Sequence, residues 1–379
     1  MTVKLDPITL ELIHSKVTSV IEEMRIVLFH SGYSTVLRES EDGSAGLLDA
    51  QLRTVSVSKK LPLHFGSFAA VADHLAEYYK MEDLEEGDVI VFNHPYAGNV
   101  THPNDTVVLM PVFVQGQLAA FTATLAHKAD LGGPRAAHVA QDIWEEGLVI
   151  PPTKLYSRGK VFPEIERFIA ANSRIPLETL GDLRGQVAAC RVGTQRVQEL
   201  CDRFGVDTFR DGCGELMARV AGQLRDALGS MPDGTQEAEG FLDHDGIGYE
   251  RQRRVHVAVT KKGREILFDF SASDEQARGP VNVTSALIKN TCYFGLMAMT
   301  DASLPFNHGF VDVVQTKFKE GTVVCPRHGA PVSYYVPLAY LTADVVLHAL
   351  GKFIPERAVG SSGGGGGVRG DQHHVVERR

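Results

Sequence analysis

The chain has 379 residues, 44% hydrophobic and 22% charged, which is long for one ordinary domain and apolar enough to bury a large core unaided. Its 38 basic against 47 acidic side chains leave a formal charge of −9, which argues against a generally basic, nucleic-acid-binding surface. The five cysteines are widely spaced and form no Cys-x-x-Cys pair, so neither a disulfide framework nor a zinc ribbon is expected. A reducing, cytoplasmic setting fits that usage. No apolar run reaches the roughly 18 residues of a membrane span, and the opening residues lack the charged-then-apolar pattern of a signal peptide.

In chain order, Asp6 is placed to cap a helix with Pro7 in its first turn. Ile13, Val17, Val20, Ile21, Met24, Val27 and Leu28 then repeat at helical spacing until Gly32. A second helix is expected after His64, through Phe68, Val71 and Leu75 to about Tyr79. Gly87-Asp88 leads into a strand over 89–92, and the apolar stretches 106–114 and 117–126 flank Gln115-Gly116 as a hairpin. Residues 93–105 are then a loop between strands. Helices are expected over 162–173, 179–204 and 207–229, with Cys190 and Cys201 as packing residues. Strands over 251–259 and 264–270 turn at Lys262-Gly263, and helices over 284–300 and 337–352 follow. From Ala358 the periodicity ends, and the run Gly363 to Gly367 reads as flexible.

Strands and helices mix without sustained βαβ alternation, which predicts an α+β fold. The expected division is a site-bearing α+β region over 1–160, a helical region over 161–240, a β-hairpin plus helix region over 241–357 and a flexible tail over 358–379.

The densest set of ligand-type side chains is Asn93, His94, His102, Asp105, His127 and Asp130. A His-x-x-Asp pair in one turn can aim an imidazole and a carboxylate at a single point, and a hairpin returns its far end, here His127, beside its beginning. Two histidines and a carboxylate suit Zn, Mn or Fe with positions left open for water or substrate. The simpler alternative is loop histidines that face solvent or bond backbone. In Arg38-Glu39-Ser40-Glu41-Asp42-Gly43-Ser44, Asp42 is a candidate ligand or general base, against the plainer reading of a solvated acidic turn. His64 reads first as a buried, hydrogen-bonded histidine. No phosphate-binding Gly-rich loop, strand–GxGxxG–helix unit or Gly-x-Ser-x-Gly elbow is present.

Taken together the segments resemble the hydantoinase B/5-oxoprolinase family, which includes the B subunits of N-methylhydantoinases and their kin in acetone and acetophenone carboxylases. The resemblance is carried by Asp6-Pro-Ile-Thr-Leu-Glu, Arg38-Glu-Ser-Glu-Asp42 with Leu48-Asp49-Ala50, and Leu63-His64-Phe-Gly66-Ser67. It continues through Gly87-Asp-Val-Ile-Val-Phe-Asn93-His-Pro-Tyr96, Pro111-Val-Phe and Ala126-His127-Lys-Ala-Asp130-Leu-Gly-Gly133. Glu146-Gly-Leu-Val-Ile-Pro-Pro152, Gly181-Asp-Leu-Arg184, Phe268-Asp-Phe-Ser271 and Arg278-Gly-Pro-Val-Asn282 extend it in the same order to about residue 357.

The resemblance implies a subunit acting on a cyclic amide or ketone beside an A-type partner that binds ATP, which accounts for the missing phosphate loop. It also implies a divalent metal held by His102, Asp105 and His127. Asp42 would be a further ligand or acid/base group, and Asp42 and His127 the catalytic pair. Hydrolysis of a cyclic amide, carboxylation of a ketone and a shortened, non-catalytic subunit all remain open. The family usually has Asn-Asp-Pro-Tyr where this chain has Asn93-His94-Pro95-Tyr96, which makes His94 a further candidate beside Asp130 and His64. It often has two adjacent histidines where this chain has His127-Lys128, and Lys128 would favour an anionic substrate if it faced the pocket. The loop before His102 reads one residue longer than usual. The chain is short at its C-terminus for the family, which reads as truncation.

Overall fold

A computed structural model of the protein describes residues 5–360 except 59–60, 65, 70, 99, 135–136 and 248–250. The glycine run expected to be flexible lies outside the described residues. In the N-terminal half come α1 (Pro7–His30), α2 (Thr35–Arg38), β1 (Gly43–Asp49), β2 (Thr54–Val57), α3 (Val71–Tyr78) and β3 (Val89–Phe92). The hairpin β4 (Asp105–Val114) and β5 (Gln117–His127) follows, then β6 (Thr153–Ser157) and β7 (Lys160–Val161). Three helices come next, α4 (Pro163–Ala171), α5 (Pro176–Phe204) and α6 (Val206–Gly229). The remainder is β8 (Gly234–Leu242), β9 (Arg253–Lys262), β10 (Glu265–Asp269), α7 (Ser285–Met299), α8 (His308–Val311), β11 (Val314–Lys317) and α9 (Val336–Gly351).

The mixed α+β fold is the one the sequence predicts. Asp6 caps α1 as expected, its carboxylate accepting the backbone N–H of Ile8 and Thr9. One stripe of that helix, including Ile13, Val17, Ile21 and Met24, is buried against α5 and the sheet. Gly193 makes the α1–α5 approach possible, since a Cβ there would lie 2.3 Å from Met24 Sδ. The first sheet has the order β2-β1-β5-β4-β3-β6-β7 and is antiparallel throughout. The second has the order β11-β10-β9-β8, with β10 and β11 parallel.

The seven-stranded sheet is covered on both faces. Val108, Met110 and Val112 of β4 pack with α1 and α5. Val107 and Leu109, with Phe121, Ala123 and Leu125 of β5, face the other way and share a core with α7, α9 and the second sheet. That alternation decides which loop-end side chains meet. In the run after Arg38 the acidic stretch 39–42 forms a turn, exposed at Glu39 and Ser40 and half-buried at Glu41 and Asp42, and from Gly43 the chain becomes β1, in which all seven residues are buried. The five cysteines are free, Cys190 and Cys201 being buried as packing residues. Among the described residues, no helix is long and apolar enough to cross a membrane.

Candidate metal centre

Three strands converge at one end of the first sheet. Asp105 opens β4 directly opposite His127, the last residue of β5. Gly43 of β1 pairs with Ala126, and the His127 N–H donates to the Asp42 carbonyl at 3.1 Å. Asp42, His127 and Asp105 therefore lie side by side across three strands. Strand alternation points Asp105 and His127 to the same face as Val107 and Leu125.

His102 reaches this point from the loop before β4, whose turn is closed by the Asp105 N–H donating to the His102 carbonyl at 3.0 Å. Asn93, fully buried, fixes that loop. Its Nδ2 donates to Pro103 O at 2.6 Å and Leu148 O at 2.8 Å, while its Oδ1 accepts from the Ile150 N–H. Asn93 thus belongs to the frame of the site rather than to its ligands. Asn93→Leu would strand three backbone groups, two of them buried, and a stability loss of about 3 kcal/mol is expected in denaturant unfolding. An unfolding midpoint equal to that of wild type would remove Asn93 from this frame.

The three side chains bring their donor atoms together. His102 Nε2 is 3.1 Å from His127 Nδ1, and Asp105 Oδ1 is 3.2 Å from His127 Nδ1 and 3.3 Å from His102 Nε2. Among the described residues this is the one group of three or more His, Cys, Asp or Glu whose ligand atoms all lie within 4.8 Å. Two ring nitrogens and a carboxylate oxygen facing one another need protons or a cation between them. With bonds of about 2.0–2.1 Å, a tetrahedral zinc spaces its ligands by about 3.3 Å, so the observed spacing fits such an ion. Asp105 Oδ2 is buried without a hydrogen-bond partner, a further unspent donor at the same carboxylate.

Electrostatics agree with the geometry. Burial alone would raise the Asp105 carboxyl, but the charges and hydrogen bonds of His102 and His127 outweigh it and hold the group well below the ordinary range. For His127, burial disfavours the charged ring, yet Asp105 and Asp42 leave its pKa raised.

The other candidates separate clearly. Asp42 Oδ2 is 3.9 Å from His127 Nδ1 and its side chain is 38% exposed, so it sits at the open side of the group. His64 lies behind, buried, its Nδ1 3.1 Å from Ser44 Oγ, and burial keeps it neutral by lowering its pKa. Leu63 O accepts from Asn290 Nδ2 of α7, which ties that turn to the second half of the molecule.

His94 is not gathered into the group: its Nδ1 accepts the N–H of Tyr96 and Ala97, and its ring lies 5.3 Å from that of His328. Asp130 is committed to Arg174 in an ion pair. Lys128 does not face the site, because strand alternation turns it to the opposite sheet face, where its Nζ donates to Gln186 Oε1 at 2.5 Å. Sequence reasoning missed Tyr335, whose buried ring stands edge-on to His102 with 5.0 Å between centroids. No local pattern in Ser333-Tyr334-Tyr335 signals that contact, which depends on how the end of the chain packs back.

Fold and site define an α+β protein built around an imidazole–carboxylate donor set. The Hydantoinase B/oxoprolinase family matches residues 6–368, and the chain belongs to it. That match takes in the glycine run, beyond residue 357 where the motif resemblance was read to end.

The chain is 30% identical to caprolactamase subunit beta of Pseudomonas jessenii over 370 residues, covering 96% of this chain and 63% of that protein. It is 27% identical to a 5-oxoprolinase of Dictyostelium discoideum, covering 93% of this chain and 28% of that one. It thus spans less than two-thirds of the length of each. The crystal structure of ATP-dependent caprolactamase from Pseudomonas jessenii superposes with a TM-score of 0.87 at 30% identity, covering 94% of this chain and 62% of that chain. Nucleotide-free acetone carboxylase shares the fold, with a TM-score of 0.83 at 17% identity over 93% of this chain and 48% of that chain.

Proposed function

We propose that this chain is the B-type subunit of an ATP-dependent hydrolase that opens a small cyclic amide, working with an A-type subunit that binds ATP. The observation that carries this reading is the buried convergence of His102 Nε2, Asp105 Oδ1 and His127 Nδ1 in a member of this family. The names of its relatives, a caprolactamase subunit and a 5-oxoprolinase, point to the same substrate class.

His102, Asp105 and His127 would hold a divalent zinc, manganese or iron ion, with Asp42 as the fourth donor or as a free base. Such an ion supplies Lewis-acid polarisation of an amide carbonyl. The chain's own groups do the rest. Asp42 is the open member of the group, so its carboxylate is placed to accept the proton that water gives up on attack. Asp105, held ionised, is the anionic member of the donor set. Tyr335 and the buried His64 shut solvent out behind the ligands. Amide resonance makes unassisted ring opening slow, and ATP on the partner would offset that barrier.

The test is reconstitution with the A-type subunit, followed by measurement of lactam or hydantoin opening with and without ATP. Ring opening that depends on ATP, on both chains and on His127 is expected. Product that forms only when bicarbonate is supplied and carries its carbon would replace this reading with a carboxylase. Metal-free chains that bind the partner but turn over nothing would make it a structural subunit.

A further inference from the structure

A second feature shares a loop with the donor group. A cavity of about 400 Å³ is lined by Asn104, Asp130, Glu146, Arg174, Ile175 and Ser333 among others, and Asn104 stands in the chain between His102 and Asp105. Most of its polar side chains are committed. Asp130 is paired with Arg174, and Asn104 Nδ2 donates to Lys128 O at 2.9 Å.

Glu146 differs. It is only 4% exposed, and its Oε1 accepts the backbone N–H of Val332 at 2.5 Å and of Ser333 at 2.6 Å. Its Oε2 is buried with no hydrogen-bond partner. A buried carboxylate oxygen left without a donor costs stability, and beside a cavity it is an acceptor that the N–H of a ligand would satisfy. The Arg174 guanidinium in the same cavity disfavours a metal cation there. Ile175 and Pro134 offer apolar surface to a small ring.

We propose that this cavity is the substrate pocket of the hydrolase and that Glu146 Oε2 selects the ring N–H of a lactam-type substrate. This rests on the reading of the chain as a cyclic-amide hydrolase and adds how the amide is recognised. Burial pushes the Glu146 carboxyl up to about 7 against the opposing hydrogen bonds of Ser333 and Val332, so at pH 8 the acceptor form predominates. Glu146 is then a specificity residue, one that distinguishes secondary lactams from N-substituted ones.

The experiment is a ligand-observed NMR titration of the full chain at pH 8 with 2-pyrrolidone and N-methyl-2-pyrrolidone, on wild type and on Glu146→Gln. Because two backbone N–H groups demand an oxygen at the Oε1 position, the glutamine must turn its NH2 to the cavity and present a donor to a donor. Wild type is expected to bind the secondary lactam about tenfold more tightly than its N-methyl analogue. Glu146→Gln should weaken the lactam about tenfold and erase that preference, with metal content unchanged. A wild-type chain that saturates with neither probe, or prefers neither, overturns the proposal without reference to any variant. So does a folded Glu146→Gln protein that keeps the preference. Binding as expected without ATP-dependent hydrolysis in the complex would instead remove the hydrolase reading and leave the pocket standing.

Discussion

The His102→Ala/His127→Ala double variant is expected to purify without bound metal under conditions where the wild-type chain retains it. Each single variant should lose more than about 100-fold in metal affinity, since even groups behind a ligand are worth roughly 10–100-fold. The stability of the variants carries a second signature. Asp105 is 1% exposed, and its ionised form is held by the two histidines. Removing both strands a buried carboxylate, a cost of about 3–5 kcal/mol that Asp105→Asn in the same background should largely recover.

Asp42→Ala should behave differently, because its carboxylate stands 3.9 Å from His127 at the open side of the group. Turnover in the complex is expected to fall further than metal affinity. His94→Gln and Asp130→Asn should leave metal content untouched, since one caps its own turn and the other is paired with Arg174. Elemental analysis of the purified chains reads all of these. Full metal occupancy in the double histidine variant would end the assignment.

How far the sequence discloses this site depends on the range of the interactions involved. His102, Asp105 and His127 were legible because a hairpin is a local object. Its turn at Gln115-Gly116 pairs Val114 with Gln117, and a one-residue bulge between Val112 and Phe113 then shifts the register so that Asp105 lies opposite His127. Asp42 was harder to read, because β1 consists largely of glycine, serine and alanine before Leu47 and carries no alternation of large apolar residues. Its strand character comes from packing. Gly46, for instance, sits so close to Phe68 that a Cβ would lie 2.8 Å from the ring. β8 was missed for the opposite reason, since Gly234–Leu242 is mostly exposed and polar and is held as a strand by β9.

The long helices were read to within about three residues because their stripes are local, while the helix expected from His64 begins only at Val71 and the four-residue α2 and α8 were not expected. Tyr335 and the acceptor role of Glu146 were invisible, as both arise where residues more than 180 apart in the chain meet. His94 and Lys128 stood out in sequence as departures from a family pattern. That signal marks a change of residue, and the direction in which the side chain points is set by the sheet.

Lys128 shows what that direction is worth. Its ammonium is 1% exposed on the α5 face of the sheet, and burial pulls its pKa down to about 8, with the Asp182 charge only partly compensating. Its one short hydrogen bond runs to Gln186 Oε1, and Gln186, itself fully buried, also donates to Thr106 O at 2.8 Å and Thr124 O at 3.3 Å. Gln186 therefore joins α5 to β4 and β5 one residue beyond His127.

Gln186→Ala leaves the ammonium without its neutral acceptor and should cost about 3–5 kcal/mol in urea unfolding. Lys128→Met removes the desolvated charge and strands only a neutral amide oxygen, so it should lie within about 1–2 kcal/mol of wild type. Combining Lys128→Met with Gln186→Leu should therefore recover most of what Gln186→Ala loses, a coupling that two independent sites would not show. Lys128→Met is also expected to leave metal content unchanged and KM for acid-bearing and neutral lactams shifted alike, because the side chain lies on the face away from the donor group. A selective loss of affinity for the acid-bearing substrate would mean that the ammonium reaches the pocket, and would return Lys128 to the role its position in sequence first suggested.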